Sequence, residues 1–342
     1  MVRDSDSALS ECKWFIISFL FVCILFFIYS CKQSLKPLDK KDALTSLKVL
    51  NSDLISMIDS SSTRPEMQAL RFLSEQKSSP LPFHQDTSKT GPQRISYLFD
   101  SHKGIYNWDT NTSAFFKSKD TSVIVLYFTL PSSPKSICKL ILFDYQEQKA
   151  RSRGDFPTKV VAKLWINKQE ILNVTHFAEI SEDLLSEIKT EIQTNDYSFK
   201  LDLSRKGTFA EKRGKIIGEI KLVAGFQSIL NTHMDIDIDY HPPVTYSFQK
   251  IQIENKLFNS YLSGTVNYGD ISPTAENYAE EFNKNTQLEL LDTDQKGLIG
   301  KIVLAPVTKA DELDYFVEFA DGTQSRLSDN ILVLKKIFNL KY

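Results

Sequence analysis

The sequence predicts an α+β fold that is mainly antiparallel β, a sandwich or a meander, with short N-terminal helices and a mixed α/β C-terminal region. Two observations carry this. Between Val123 and Ile253 the chain passes through stretches rich in β-branched and aromatic residues, separated by turn-type clusters such as Pro131-Ser132-Ser133-Pro134. Nearer the N-terminus, Leu44, Leu47, Leu50, Leu54 and Ile58 recur at three- and four-residue intervals, the period of one helix face.

Composition bounds the function. Hydrophobic residues make up 42% of the 342 and charged residues 25%, a balance that supports a buried core and excludes wholesale disorder. The formal net charge is −2, with 41 basic and 43 acidic side chains, so no surplus of Lys and Arg exists to gather nucleic acid. Of the cysteines Cys12, Cys23, Cys31 and Cys138, only Cys138 lies in the body of the chain. A disulfide framework or a zinc site built on paired thiols is therefore not expected.

Residues 1–30 read as an export signal. From Trp14 to Tyr29 there is no charged side chain, after a polar start holding Arg3 and Lys13. A helix over that run reaches roughly 24 Å, short of the ~30 Å hydrocarbon core, which favours a cleaved signal over a permanent span. Lys32, Lys36, Lys40 and Lys41 follow the apolar run, whereas a signal anchor with its N-terminus inside carries its positive charge before the span.

The run ends in Ile28-Tyr29-Ser30-Cys31, which resembles the lipobox of bacterial lipoproteins. That resemblance implies that the Cys31 thiol takes a diacylglycerol, that the peptide is cut before it, and that acyl chains of the palmitate type hold the mature protein at a membrane. A thiolate is the nucleophile this chemistry needs, and Ser30 gives a peptidase room at the cut. A bitopic protein anchored by residues 14–30, with Cys31 unmodified, is the alternative.

Residues 31–94 are expected to form a tether, short helices and a linker. Lys-rich 32–41 is the tether, and the Leu44–Ile58 pattern is the first helix. A second helix follows Thr63, because Thr63-Arg64-Pro65-Glu66 has capping-box spacing with Pro65 in the first turn, and it would bury Met67, Leu70 and Leu73. The polar, Pro-containing stretch 77–94 is the linker.

Residues 95–262 are expected to be a β-rich domain. Its strands are placed at Val123–Leu130, Lys139–Tyr145, Thr158–Ile166, Glu170–Ile180, Tyr197–Leu203, Ile216–Val223, Met234–Tyr240 and Val244–Ile253, with one helix at Glu182–Ile192. Residues 263–342 are expected to be an α+β region, either on its own or as part of the same domain. There a helix runs from Ser272-Pro273 to about Lys284, and strands lie at Gln287–Leu291 and Leu298–Leu304. A hairpin turns at Asp321-Gly322 between Tyr315–Phe319 and Thr323–Leu327, and a last helix capped by Ser328 buries Ile331, Leu334 and Ile337.

This order of parts, with phrases such as Ser79-Pro80-Leu81-Pro82-Phe83 and Asp321-Gly322, resembles uncharacterised envelope lipoproteins of Bacteroidetes bacteria. The resemblance implies an outer-membrane location. Lys32-Gln33-Ser34 lacks an acidic run after the cysteine, which favours the periplasmic face. No catalytic residues transfer with it.

The densest chemistry is His233-Met234-Asp235-Ile236-Asp237-Ile238-Asp239-Tyr240-His241. On a strand His233, Asp235, Asp237, Asp239 and His241 share one face. A divalent cation is conceivable there, but same-face neighbours are about 6.6 Å apart, so other strands would have to supply ligands. A charged solvent face that discourages edge pairing is the plainer reading, and no metal is assigned. An EF-hand loop is rejected, because Tyr240 stands where its glycine belongs and the alternation demands a strand.

Ser74-Glu75-Gln76-Lys77, Lys89-Thr90-Gly91 and Ser328-Asp329-Asn330 match three short β-lactamase motifs but in the wrong order. No G-x-S-x-G, H-E-x-x-H, P-loop or dinucleotide fingerprint appears. His176, on the face of Leu172, Val174, Ala178 and Ile180, is expected to be a hydrogen-bonded core residue. Arg153-Gly154-Asp155 is read as a chance tripeptide, and the acceptor patterns at Asn111 and Asn173 matter only in a eukaryotic secretory pathway.

Tyr106-Asn107-Trp108 and Phe115-Phe116 are expected in a loop region, as a hairpin end or a binding patch. Together these features predict a lipid-anchored envelope protein that binds a protein or glycan partner, or stabilises an assembly, with no cofactor and no catalytic step. An envelope glycan hydrolase using paired carboxylates is the alternative.

Overall fold

The computed structural model describes residues 36–76, 78–81, 98–150, 154–242, 245–272, 274–307 and 313–332. Its helices are α1 (Lys40–Ser62), α2 (Pro65–Glu75), α3 (Phe99–His102), α4 (Tyr278–Lys284) and α5 (Leu327–Asn330). The strands are β1 (Gly104–Asp109), β2 (Ala114–Lys119), β3 (Ile124–Leu130), β4 (Ser133–Ala150), β5 (Gly154–Ile166), β6 (Gln169–Ser181), β7 (Leu184–Thr194) and β8 (Tyr197–Gly207). They continue as β9 (Arg213–Ala224), β10 (Gln227–His241), β11 (Thr245–Leu257), β12 (Ser260–Val266), β13 (Thr286–Asp292), β14 (Gly297–Pro306), β15 (Leu313–Glu318) and β16 (Gln324–Arg326).

All belong to one 16-stranded sheet in which sequence neighbours are spatial neighbours from β3 through β16, and β1 lies between β3 and β2. The fold is thus α+β and mainly antiparallel, of the meander kind, while β1 and β3 pair in parallel.

Two compact units divide the chain: one holds residues up to Met57 with Arg205–Leu222 and Gln227 onward, the other Ile58–Ser204 with Val223–Phe226. In the first, alternation on β10 buries Met234, Ile236, Ile238 and Tyr240, and α1 buries Leu47, Leu50 and Leu54. Ahead of α1, the chain adds to β14 as a short parallel strand: Leu38 N donates to Leu298 O at 2.8 Å and Leu298 N to Lys36 O at 3.1 Å.

In the second unit the core gathers Phe72 and Leu73 of α2 with Phe115, Ile124, Leu126, Phe128, Leu140 and Leu164. Phe72 meets Trp108 edge-on at 5.0 Å and stacks on Phe128 at 5.3 Å. Arg64, just before α2, pairs with Asp196 and lies over the Tyr197 ring at 4.5 Å, which ties the start of α2 to the β7–β8 turn.

Several expectations are corrected. The helix expected at Glu182–Ile192 is strand β7: Glu182 and Asp183 take positive φ in the turn, and Ile188, Thr190 and Ile192 then alternate on one face. The aromatic patch lies not in a loop but on β1 and β2, where the expected hairpin end is formed with Trp108 and Phe115 packed at 5.1 Å. Strand β12 was not anticipated either.

The tether is shorter than 32–41, because Lys36–Leu38 pair with β14 and α1 begins at Lys40. In α2 Arg64, not Thr63, is the cap residue and makes no side-chain cap, and Met67 is 45% exposed while Ala69 and Phe72 are buried. The linker begins later than 77, since Ser79, Pro80 and Leu81 are buried, and its remainder to residue 94 lies outside the described residues. The helix expected from Ser272 is confined to α4, and the last described helix is capped by Arg326, not Ser328. Ile331 is buried as expected, whereas Leu334 and Ile337 lie outside the described residues.

Candidate functional site

The carboxylate row sits on β10 as the alternation required, opposite the buried Met234–Tyr240 face. Its partners come from the flanking strands. Lys215 of β9 reaches Asp235 at 2.9 Å and Asp237 at 3.7 Å, and Arg213 lies 3.8 Å from Asp239. Lys250 stands directly across from Asp237 on β11. The hydrogen bond to Asp235 raises the pKa of Lys215 against a smaller desolvation effect, with Asp235 and Asp237 adding attraction, so the ammonium stays charged.

The row is therefore a cross-strand ion ladder. Strand geometry puts His233 and His241 roughly 27 Å apart, too far to close one coordination sphere. His233 faces Glu254 across the pair, and His241 Nε2 lies 2.8 Å from Ser247 Oγ. Among the described residues no group of three or more His, Cys, Asp or Glu side chains is placed to hold a metal ion.

A second arrangement escaped the sequence reading. On the polar face of β5–β8 lies a depression of about 480 Å³ lined by Lys159, Phe177, Lys189, Glu191, Lys200 and Asp202 among others. Register places Lys159 and Lys189 on either side of Phe177, and Lys200 opposite Glu191. Phe177 is 46% exposed. The lysines are tethered: Lys159 to Asp144 at 2.7 Å, Lys189 to Glu187 at 2.5 Å and Lys200 to Glu191 at 2.6 Å.

An ammonium has three donors, so each lysine keeps capacity for a further acceptor beside an apolar ring. The hydrogen bond from Lys159 holds Asp144 below the usual carboxylate range, against a smaller opposing effect of burial. The floor thus carries fixed charges of both signs. One part of it was legible: Leu172, Val174, Ala178 and Ile180 assign the apolar face of β6, which forces Phe177 onto the other.

His176 is a structural histidine, with Nδ1 2.8 Å from Thr190 Oγ1 and Nε2 3.2 Å from Pro157 O. A smaller cavity of about 130 Å³ lies among Ser46, Asp53, Asn259, Ser260, Asp292 and Asp294. Its carboxylates serve turn geometry: Asp292 Oδ1 accepts from the backbone N–H groups of Asp294 and Gln295, and Asp294 accepts from Asn259.

Cys138 is fully buried in the second unit, and burial pushes its thiol up to about 11. Maleimide at neutral pH is therefore expected to leave Cys138 unmodified in the folded chain and to modify it in denaturant. Rapid native labelling, read by peptide mass spectrometry, would mean this part of the core opens readily.

Cys31 lies outside the described residues, as do Arg153 and Lys89-Thr90-Gly91. Among the described residues no helix is long and apolar enough to cross a membrane. Comparison with protein-family models, with curated proteins and with solved structures finds no match.

Proposed function

We propose that the protein is a lipid-anchored component of the cell envelope, held through Cys31 at the outer membrane, periplasmic face, where it binds a protein or glycan partner without catalysing a reaction. The observation that carries the binding half is the depression on β5–β8, where half-exposed Phe177 is flanked by Lys159 and Lys189 on a floor of fixed charges. A rigid aromatic beside polar groups with spare hydrogen-bonding capacity is the usual composition of a recognition anchor. The anchoring half rests on the apolar run Trp14–Tyr29 and the lipobox-like Ile28-Tyr29-Ser30-Cys31.

The hydrolase alternative draws less support from the carboxylate row. A glycosidase needs two carboxylates facing each other across the scissile bond, whereas here the Lys215 ammonium stands beside Asp235 at 2.9 Å and Asp237 at 3.7 Å.

A photo-crosslinking amino acid at Phe177, in the native envelope, tests the binding half. A discrete adduct is expected that is lost when Lys159 and Lys189 are changed to Glu, with no such adduct from the exposed turn residue Lys168. Equal adducts from both positions, or none at 177, would sink it. Mass spectrometry of the mature N-terminal peptide tests the other half, with an acyl mass expected on Cys31 and absent in Cys31→Ser.

A further inference from the structure

We infer that the surface of the first unit facing the lipid is the end formed by the turns Phe258–Asn259, Thr293–Lys296 and Asp321–Gly322, because the chain enters the fold there and is locked as it enters. The inference rests on the reading of the N-terminal segment as a membrane anchor. It holds equally for a lipid on Cys31 and for a span ending near Ser30.

The lock has several parts. Lys36 and Leu38 exchange backbone hydrogen bonds with Leu298, at the start of β14. Gly297 has no side chain, and a Cβ there would run into the Leu38 side chain. Asp39 Oδ1 accepts the Asp42 N–H at 2.8 Å as α1 begins, and the Lys40 ammonium lies 5.9 Å from the Phe319 ring centre. The entering chain therefore reaches both β14 and the residue that follows β15.

The three turns lie at this same end. Thr293 N donates to Asn259 O at 2.8 Å, which joins the first two, and Gly322 N donates to Phe319 O at 2.9 Å in the third. From Cys31 to Lys36 the chain takes five Cα steps, so full extension spans about 18 Å at most. Strands β12 and β13 are 7 residues each, about 24 Å, and the connection containing Glu276 and α4 joins them at the opposite end. The first unit is thus tied to the membrane by a lead shorter than its own strands.

The test uses the full chain reconstituted into vesicles that contain a headgroup-labelled quencher lipid. A fluorescent amino acid is installed at Lys296, beside the entry, or at Glu276, at the far end. Strong quenching is expected at Lys296 and several-fold weaker quenching at Glu276, and inserting a flexible linker of about 20 residues before Lys36 is expected to abolish the difference. Equal quenching at the two positions in vesicle-bound protein overturns the orientation while leaving the anchor intact. Protein that fails to remain with the vesicles overturns the anchor reading itself, and the orientation with it.

Discussion

Gly264→Ala is expected to lower the unfolding free energy by about 3 kcal/mol or more, one of the largest losses available to a single methyl group in this chain. A Cβ at Gly264 would collide with the carbonyl oxygen and carbon of Gln287 and with the Cα of Leu288. These are backbone atoms of β13, the strand with which Gly264 pairs, so no side-chain rotation relieves the clash. The strands must part beside Leu262 and Leu290, both buried. Gly225 is the contrast: it has positive φ in a hairpin turn but open space around it, so alanine there costs only about 1 kcal/mol of backbone strain. Urea titrations followed by far-ultraviolet circular dichroism would separate the two, and similar midpoints for both variants would refute the register at β12–β13.

Phe72→Ala is expected to cost about 4 kcal/mol, through a cavity and through lost ring contacts. Phe72 is the element of α2 that touches both Trp108 of β1 and Phe128 of β3. Leucine at 72 keeps most of the volume and loses the edge-on geometry, so a smaller loss, about 1.5 kcal/mol, is expected. Because Trp108 is in direct contact, its fluorescence reports the change locally. An Ala variant as stable as the Leu variant would mean that α2 does not rest on β1 and β3 through this ring.

Much of the meander was legible because alternation survives wherever a strand buries one face. Strand β10 is the clearest case: the Met234–Tyr240 series and the Asp235–Asp239 series could not both be satisfied by a helix. Strand β7 was misread because Leu184, Leu185, Ile188 and Ile192 also fit a helical stripe. The decision between the two lies with β6 and β8, which pair along nearly the whole length of β7, and no local window contains them. Strands β1 and β2 were hidden by their shortness and by the polar turn Thr110–Ser113.

The same locality limits the reading of sites. The sequence placed His233, Asp235, Asp237, Asp239 and His241 on one face correctly, yet Lys215 and Lys250 become their neighbours only through register. Cross-strand pairing decides whether a run of carboxylates is a ligand set or half of an ion ladder. The depression around Phe177 depends on the register of several strands, so it was out of reach as a site, although the phase of Phe177 was not.

The bond between Lys36–Leu38 and Leu298 has a consequence for the order in which the protein assembles. From β3 onward successive strands follow the chain, so each but β13, which follows the long connection containing α4, can close on its predecessor through a short loop, the regime in which pairing is fast. The contact at Leu298 joins segments about 260 residues apart and has to wait for β14. In a chain that crosses a membrane N-terminus first, the hairpins from β3 to β13 can zip in sequence while the segment around Lys36 is still unpaired. The segment Lys36–Leu38, which on the proposed reading follows the anchor directly, is then left unpaired for most of synthesis and pairs only once β14 has been delivered.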